Sequence, residues 1–328
     1  MALFSRRGTS DESAPIEQAE PAPEEGAESA TADAAAPEVP HVGISISTFG
    51  KPTSAPAPAR PPAEAPERTQ TVPGLPDNAV LKEALAALPD KPANTDVMNV
   101  MRQAMQGHLY VRVQGDAKAL LADGQGLTLA VTAIGDKRFL LAFSGGAALQ
   151  DSVRSDGDAA TSAVGQPAST VFQNVVAGPY AGLFLDHATA GARIILPAEL
   201  VEKALEEGDS TFALKTLLVA ERTEKTAIDV ADALTRAPVW VAGNADESGR
   251  IGLAEARSGD GRRRLEVFSH PLEVIAMGRG DRPLPLTAAQ LATALASDAG
   301  ITGVVVDPAG PWIELDRSAL APVLALAG

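Results

Sequence analysis

Residues Ala181–Leu205, AGLFLDHATAGARIILPAELVEKAL, have an echo at Thr302–Leu326, TGVVVDPAGPWIELDRSALAPVLAL, and this pair decides how the rest of the chain is read. In each stretch a glycine leads into an apolar run closed by aspartate: Gly182-Leu-Phe-Leu-Asp186 and Gly303-Val-Val-Val-Asp307. A short turn containing Ala and Gly follows, then a second apolar run, Ala192 to Leu196 or Pro311 to Leu315, then a segment with a Leu/Val/Ala stripe. Short apolar runs bounded by turn residues predict strands, and the stripe predicts a helix. One unit therefore occurs twice.

Upstream, the same correspondence continues. Asn78-Ala-Val-Leu-Lys-Glu-Ala-Leu-Ala-Ala-Leu88 predicts a helix with Leu81, Leu85 and Leu88 on one face, ended by Pro89. A second helix starts at the cap cluster Asn94-Thr95-Asp96 and carries Val97, Met98, Met101 and Met105 at helical spacing. Such a Met stripe either packs a core or offers an adaptable surface. Ile228, Ala231 and Leu234 take its place in the second copy. Three strands are predicted next, Leu109–Val113, Leu127–Ala133 and Arg138–Phe143, matched by Val239–Val241, Ile251–Ala256 and Arg263–Phe268. Gly135-Asp136 and Ser258-Gly-Asp-Gly261 fall at the hairpin turns. Thr170-Val-Phe-Gln173 after Pro167, and Thr287-Ala-Ala-Gln290 after Pro285, both have the Thr/Gln spacing of a capping box. The expected fold is α+β: two tandem copies of helix, three-strand meander, connection, helix, two strands, helix. The first copy should span residues 77–208 and the second 209–328.

Residues 1–76 are Pro/Ala/Glu-rich, with Phe4 and Phe49 as their aromatics, and are expected to be a disordered tail. Inside lies one apolar island, residues 39–49, where Val42, Ile44 and Ile46 alternate with Gly43, Ser45 and Ser47. That alternation suits an extended segment able to add to a sheet edge; a patch of linker is the other reading.

Of the 328 residues, 45% are hydrophobic but only 4% aromatic, so the cores must be built from small aliphatic side chains. The formal charge of −15 disfavours nucleic acid and anionic membranes, and a cationic or neutral partner fits it better. The absence of cysteine removes disulfides, thiolate metal sites and a cysteine nucleophile. The N-terminus lacks the apolar core of a secretory signal, and no apolar run is long enough to span a membrane. A cytoplasmic location is expected.

No phosphate loop and no nucleophile elbow occurs in the sequence. Ser144-Gly-Gly, at a strand end, has no local partner to activate it. His41, His108, His187 and His270 are dispersed, without ligand spacing. No catalytic residue, cofactor or metal site is expected. Asp186 and Asp307, equivalent in the two copies, are the candidate binding residues, each fit to hold a cation or polar ligand or to cap its own turn by accepting backbone amides. Val42, Ile44 and Ile46 join them as candidates for partner binding. Arg262-Arg-Arg264 reads as a charged edge strand with its side chains on opposite faces.

Leu109-Tyr-Val-Arg-Val113, Phe143-Ser144 and Gly182–Asp186 together resemble the N-terminal domain of the SseB (enhanced serine sensitivity) family. That family has an "LYVPV"-like opening strand, an "FTS"-like end to the third strand and a "GLxINP"-like strand and turn. Val239–Val241, Phe268-Ser269 and Gly303–Pro308 form the more divergent second match, and Asp stands in both turns where the family has Asn. The resemblance covers nearly all of residues 95–326. It implies no reaction or cofactor, and by its name a link to serine tolerance. The expectation is a non-enzymatic binding or regulatory protein with a protein partner. The alternative is an amino-acid sensor or enzyme with a pocket between the copies, which converging polar groups in a concave interface would favour.

Overall fold

The computed structural model describes residues 66–245, 251–257 and 261–327, and these belong to one compact unit. The first copy runs α1 (Ala79–Ala86), α2 (Asn94–Ala104), β1 (His108–Gln114), α3 (Ala117–Ala122), β2 (Val131–Ile134), β3 (Lys137–Phe143), α4 (Gly146–Asp156), β4 (Thr161–Pro167), α5 (Ala168–Ala177), β5 (Gly182–Leu185), β6 (Ile194–Pro197) and α6 (Ala198–Glu206). The second runs α7 (Ala213–Val219), α8 (Thr226–Leu234), β7 (Val239–Ala245), β8 (Ile251–Leu253), β9 (Glu255–Arg257), β10 (Arg263–Val267), α9 (Pro271–Ala276), β11 (Arg282–Leu286), α10 (Ala288–Ser297), β12 (Ile301–Val306), β13 (Ile313–Asp316) and α11 (Ala321–Leu324). The α+β repeat is as expected. The connection between meander and helix is not a loop, however: it is a helix and a strand in each copy, α4–β4 and α9–β11.

That extra strand changes the sheet. The order is β4-β1-β3-β5-β6, with β3 and β5 parallel and the other neighbours antiparallel. β1 and β3 pair directly only at Tyr110↔Phe143 and Val111↔Ala142. They then splay, and the chain around β2 fills the fork. Ala130 stands at the apex, donating to the Arg112 carbonyl at 2.7 Å and accepting from the Leu141 amide at 3.1 Å. The second copy repeats the fork with Ala254, which donates to Ala242 at 2.8 Å and accepts from Glu266 at 3.2 Å, while Trp240 bridges Phe268. Its strands follow the same plan, β11-β7-β8 on one side of the bridge and β13-β12-β10-β9 on the other.

Strand alternation sorts the core. Leu109, Val111, Val113, Leu140 and Ala142 face α1, α2, α5 and α6, while Tyr110, Leu141 and Phe143 face α4. Met101 and Met105 are fully buried among them, so the Met stripe is core. Gly182 and Gly303 open β5 and β12 for a steric reason: a Cβ there would lie 2.3 and 2.1 Å from the carbonyl oxygens of Leu196 and Leu315 on the adjacent strand.

Three expectations are corrected. Thr170 is no N-cap: α5 begins at Ala168 behind Pro167, and Ala168 donates its amide to the Gly107 carbonyl at 3.1 Å. The registers of β4 on β1 and of β11 on β7 make Gly165 the counterpart of Pro285, so the residue equivalent to Thr287 is Pro167 rather than Thr170. The capping box at Thr287 is present, at 3.2 Å and 2.8 Å. Ile228 is 67% exposed, because the buried stripe of α8 runs Thr226–Val230–Leu234 and a residue two positions from Val230 points away. Arg263 and Arg264 lie in β10, an interior strand between β9 and β12. Arg264 is buried and paired with Glu314 and Asp316, whereas Arg263 pairs with Glu255 and Asp298.

Candidate functional site

Asp186 and Asp307 stand where the two parallel strands of each sheet end. The Asp186 amide donates to Ala142 at 3.0 Å and the Asp307 amide to Val267 at 2.9 Å, each adding one rung beyond its strand. Both residues then turn into the left-handed region, φ 47° and 49°, which Asp tolerates better than most. The turn folds the carboxylate back over the end of the neighbouring strand. Asp186 accepts from the Ser144 amide at 2.8 Å and its hydroxyl at 2.5 Å; Asp307 accepts from Ser269 at 2.7 and 2.5 Å. The partner that Ser144 lacks in its local sequence is supplied across the sheet. Each carboxylate clamps two parallel strand ends: it accepts from the serine of the neighbouring strand and not, as the turn-capping expectation had it, from the amides of its own turn.

These clamps are closed to solvent, Asp186 being 3% and Asp307 2% exposed. Burial pushes both carboxyls up to about 6, against the opposing pull of the serine hydrogen bonds. For Asp307 the Glu273 charge adds to the rise and Lys215 opposes it.

The surroundings of the two clamps differ. Over the second lies a buried charge cluster that joins the two copies. Glu273, on α9 and fully buried, accepts from Arg102 on α2 at 2.9 Å and from Lys215 on α7. Lys215 Nζ is also 4.0 Å from Asp307. Arg102 donates further to the Gly310 carbonyl at 3.2 Å and to Asn99 at 3.1 Å. Burial works against ionised Glu273, but the two cations hold its carboxyl below the usual range. His270, the N-cap of α9, accepts the Leu272 amide on Nδ1 at 3.2 Å and therefore donates from Nε2 to the Ala204 carbonyl in α6, also at 3.2 Å. Burial and then the Lys215 charge push this imidazole down to about 3, so it is neutral.

Over the first clamp, residues 66–78 take the part that α2 plays over the second. Asp77 accepts from Thr71 at 2.8 Å, Thr69 at 3.1 Å and Lys82 at 2.8 Å; Thr71 also accepts the Ala147 amide at the start of α4, at 3.1 Å. Lys82 and Lys215 hold equivalent places, one after Leu81 and the other after Leu214 in the buried stripes of α1 and α7. Ala148 occupies the position of Glu273, which is why the acid comes from the preceding segment instead.

Arg102, Lys215 and Glu273 were not singled out by sequence reasoning, and His270 was read only as one of four dispersed histidines. A signal for His270 and Glu273 existed: His270-Pro271-Leu272-Glu273 has Pro at the first helical position and Glu at the third, a helix start. Val42, Ile44 and Ile46 lie outside the described residues.

Two concavities touch both copies. One, about 400 Å³, is lined by residues 66–68, Pro76–Ala79, Gly107, His108 and Pro167 of the first copy and Thr216, Val219 and Ala220 of the second. Two of its polar side chains are engaged: Asn78 with the Gln106 and His108 carbonyls at 2.6 and 3.0 Å, and His108 with the Pro76 carbonyl at 3.0 Å. The other, about 300 Å³, lies between α2 and α9 against Met98, Arg102 and Ile275. Among the described residues no cluster of His, Asp and Glu has the arrangement of a metal site, and no helix is long and apolar enough to cross a membrane.

The family model described as SseB protein N-terminal domain matches the chain twice, at residues 81–202 and 213–321. No curated protein and no solved structure matches the chain.

Proposed function

The chain belongs to the SseB family, with two copies of its N-terminal domain in tandem, and from that premise we propose that it is a cytoplasmic binding or regulatory protein without catalytic activity, acting on a protein partner. The observation that carries this reading is the state of the Ser–Asp pairs. They are a titratable feature common to both copies, and both are sealed, every carboxylate oxygen spent on a strand end. A nucleophile or ligand-binding acid needs access to its substrate, and these serve the sheet instead. The charge of −15 favours a neutral or cationic protein surface as the partner over nucleic acid.

A second reading, an amino-acid sensor, has the cleft of about 400 Å³ between the copies in its favour. An amino acid needs unspent groups for its ammonium and carboxylate, and Asn78 and His108, being engaged, do not supply them. Affinity capture of the full chain from its native cell, run beside a thermal-shift screen of metabolites that includes serine, separates the two. A stoichiometric protein partner with no metabolite shift is expected. A saturable shift with an amino acid, without a partner, would overturn the binding-protein reading in favour of the sensor.

A further inference from the structure

The outer edge of each sheet is formed by β4 in the first copy and β11 in the second, and the two edges are chemically opposite. In β11, Arg282-Pro-Leu-Pro-Leu286, Pro283 stands opposite Ala242 and Pro285 opposite Trp240. In an antiparallel ladder alternate residues turn their N–H toward the neighbouring strand and the rest turn it outward. Proline has no N–H to give, so these two prolines occupy outward positions and leave that edge without its donors. Tyr110 and Trp240 are equivalent, each pairing with the phenylalanine that ends the central region of its sheet, Phe143 or Phe268. Opposite Tyr110 in β4 is Gly165, and opposite Arg112 is Ala163. The two outward positions sealed by proline in one copy thus keep their amides in the other, and no backbone group among the described residues pairs with them.

The open edge is also regular and flanked by apolar surface. β4 pairs with β1 through seven consecutive registered residues, from Thr161 to Pro167. The helices that touch β4, α3 and α5, carry Leu121 and Val176, 59% and 39% exposed, while α10, the counterpart of α5, carries no large exposed apolar residue.

We propose that β4 is an acceptor edge for strand addition and that its occupant is this chain's own segment Val42–Thr48. An added strand there would place Val42, Ile44 and Ile46 on one face, beside Val164, Leu121 and Val176, and Gly43, Ser45 and Ser47 on the other. No proline interrupts the segment between Pro40 and Pro52. The reach is favourable as well. Pro66 lines the same cleft as Pro167, the last residue of β4, so the chain joins the described structure at one end of this edge. The connecting stretch, residues 49–65, extends to at most about 60 Å, against about 23 Å for the whole of β4. Held that closely, the segment competes for the edge at an effective concentration of about a millimolar. The assignment goes beyond the binding-protein reading and does not depend on it, since a self-covered edge is compatible with either function.

Hydrogen exchange on the full chain tests it. Every second amide of an added strand faces β4, so alternate amides of residues 43–48 should exchange about tenfold or more slowly than those of residues 1–38. Ala163→Pro, which copies the second repeat, should abolish that difference. Ile44→Asp with Ile46→Asp, both upstream of the described residues, should abolish it too and speed exchange at Ala163 and Gly165. That second pair of changes keeps the test decisive if Ala163→Pro fails to fold. Exchange in residues 43–48 as fast as in residues 1–38, or slowing that survives both sets of changes, overturns the proposal. Protection of β4 that rises with protein concentration alongside dimer formation overturns it as well, because the occupant is then a second copy.

Discussion

At the scale of single residues, the two Ser–Asp clamps give the protein a distinctive acid response. An unfolded aspartate titrates near 3.8 and the folded Asp186 and Asp307 near 6, so the folded state holds more protons between those two values. Stability from these groups is therefore fully present below the lower value and falls as pH rises through the upper one. Each two-unit shift corresponds to about 3 kcal/mol. His270 acts in the opposite sense: unfolded near 6.5 and folded near 3, it adds stability as pH rises toward 6.5. The two effects oppose each other, and a shallow profile is expected in urea unfolding between about pH 4.5 and 7. Asn at both clamps keeps the acceptor for the serine amide, suits the left-handed turn and carries no charge to desolvate. Asp186→Asn with Asp307→Asn should raise stability at about pH 8 by on the order of 1 kcal/mol and leave a profile that climbs with pH under His270 alone. Parallel profiles for the parent and the double variant would mean that both aspartates stay ionised throughout. Glu273 responds differently, since it neutralises two buried cations. Glu273→Ala strands Lys215 and Arg102 and should cost about 3–5 kcal/mol, read from the same unfolding midpoints.

At the scale of elements, the pair of equivalent helices α5 and α10 shows how one unit reaches the same start by two routes. Thr287→Ala removes a capping hydrogen bond at the start of α10 and should lower stability by about 1 kcal/mol. Thr170→Ala lies inside α5, whose first amide is satisfied by the Gly107 carbonyl, and should shift stability by less than about 0.5 kcal/mol. An equal loss for both variants would restore Thr170 as a cap. β4 and β11 form a second contrasting pair, the same edge position with and without outward amides.

At the scale of the whole molecule, the two copies share more than a boundary. Phe212 and Leu272 of the second copy are buried within the core of the first, Phe212 edge-on to Phe172 with ring centroids 5.7 Å apart. Burying each contributes about 1.5–3 kcal/mol to the joint structure and nothing to a separated domain. Trp240 donates to the Glu207 carbonyl at 2.8 Å, His270 to Ala204, and Arg102 pairs with Glu273. The copies should unfold in one transition by calorimetry, and a fragment ending at residue 208 should melt lower and less cooperatively than the intact chain. Two well-separated transitions would show that the shared contacts contribute little.

The sequence by itself determined the duplication, the helical stripes of α1 and α2, the positions of the inner strands along the chain and the strand-end aspartates, because these rest on local periodicity and on residues whose turn chemistry is intrinsic. Gly182 and Gly303 were legible for the same reason, although the carbonyls that require them lie on another strand. What only the tertiary structure decided was everything set by partners distant in the chain. Ser144 finds Asp186 42 residues away and Arg102 finds Glu273 across 171. β10 becomes an interior strand because β12 pairs with it, whatever its neighbouring run of arginines implies alone. β4, with its Gly and polar residues, has a weak strand pattern and exists because the β1 edge stood ready to pair with it; its open outer edge could be recognised only after the register had set it against the prolines of β11.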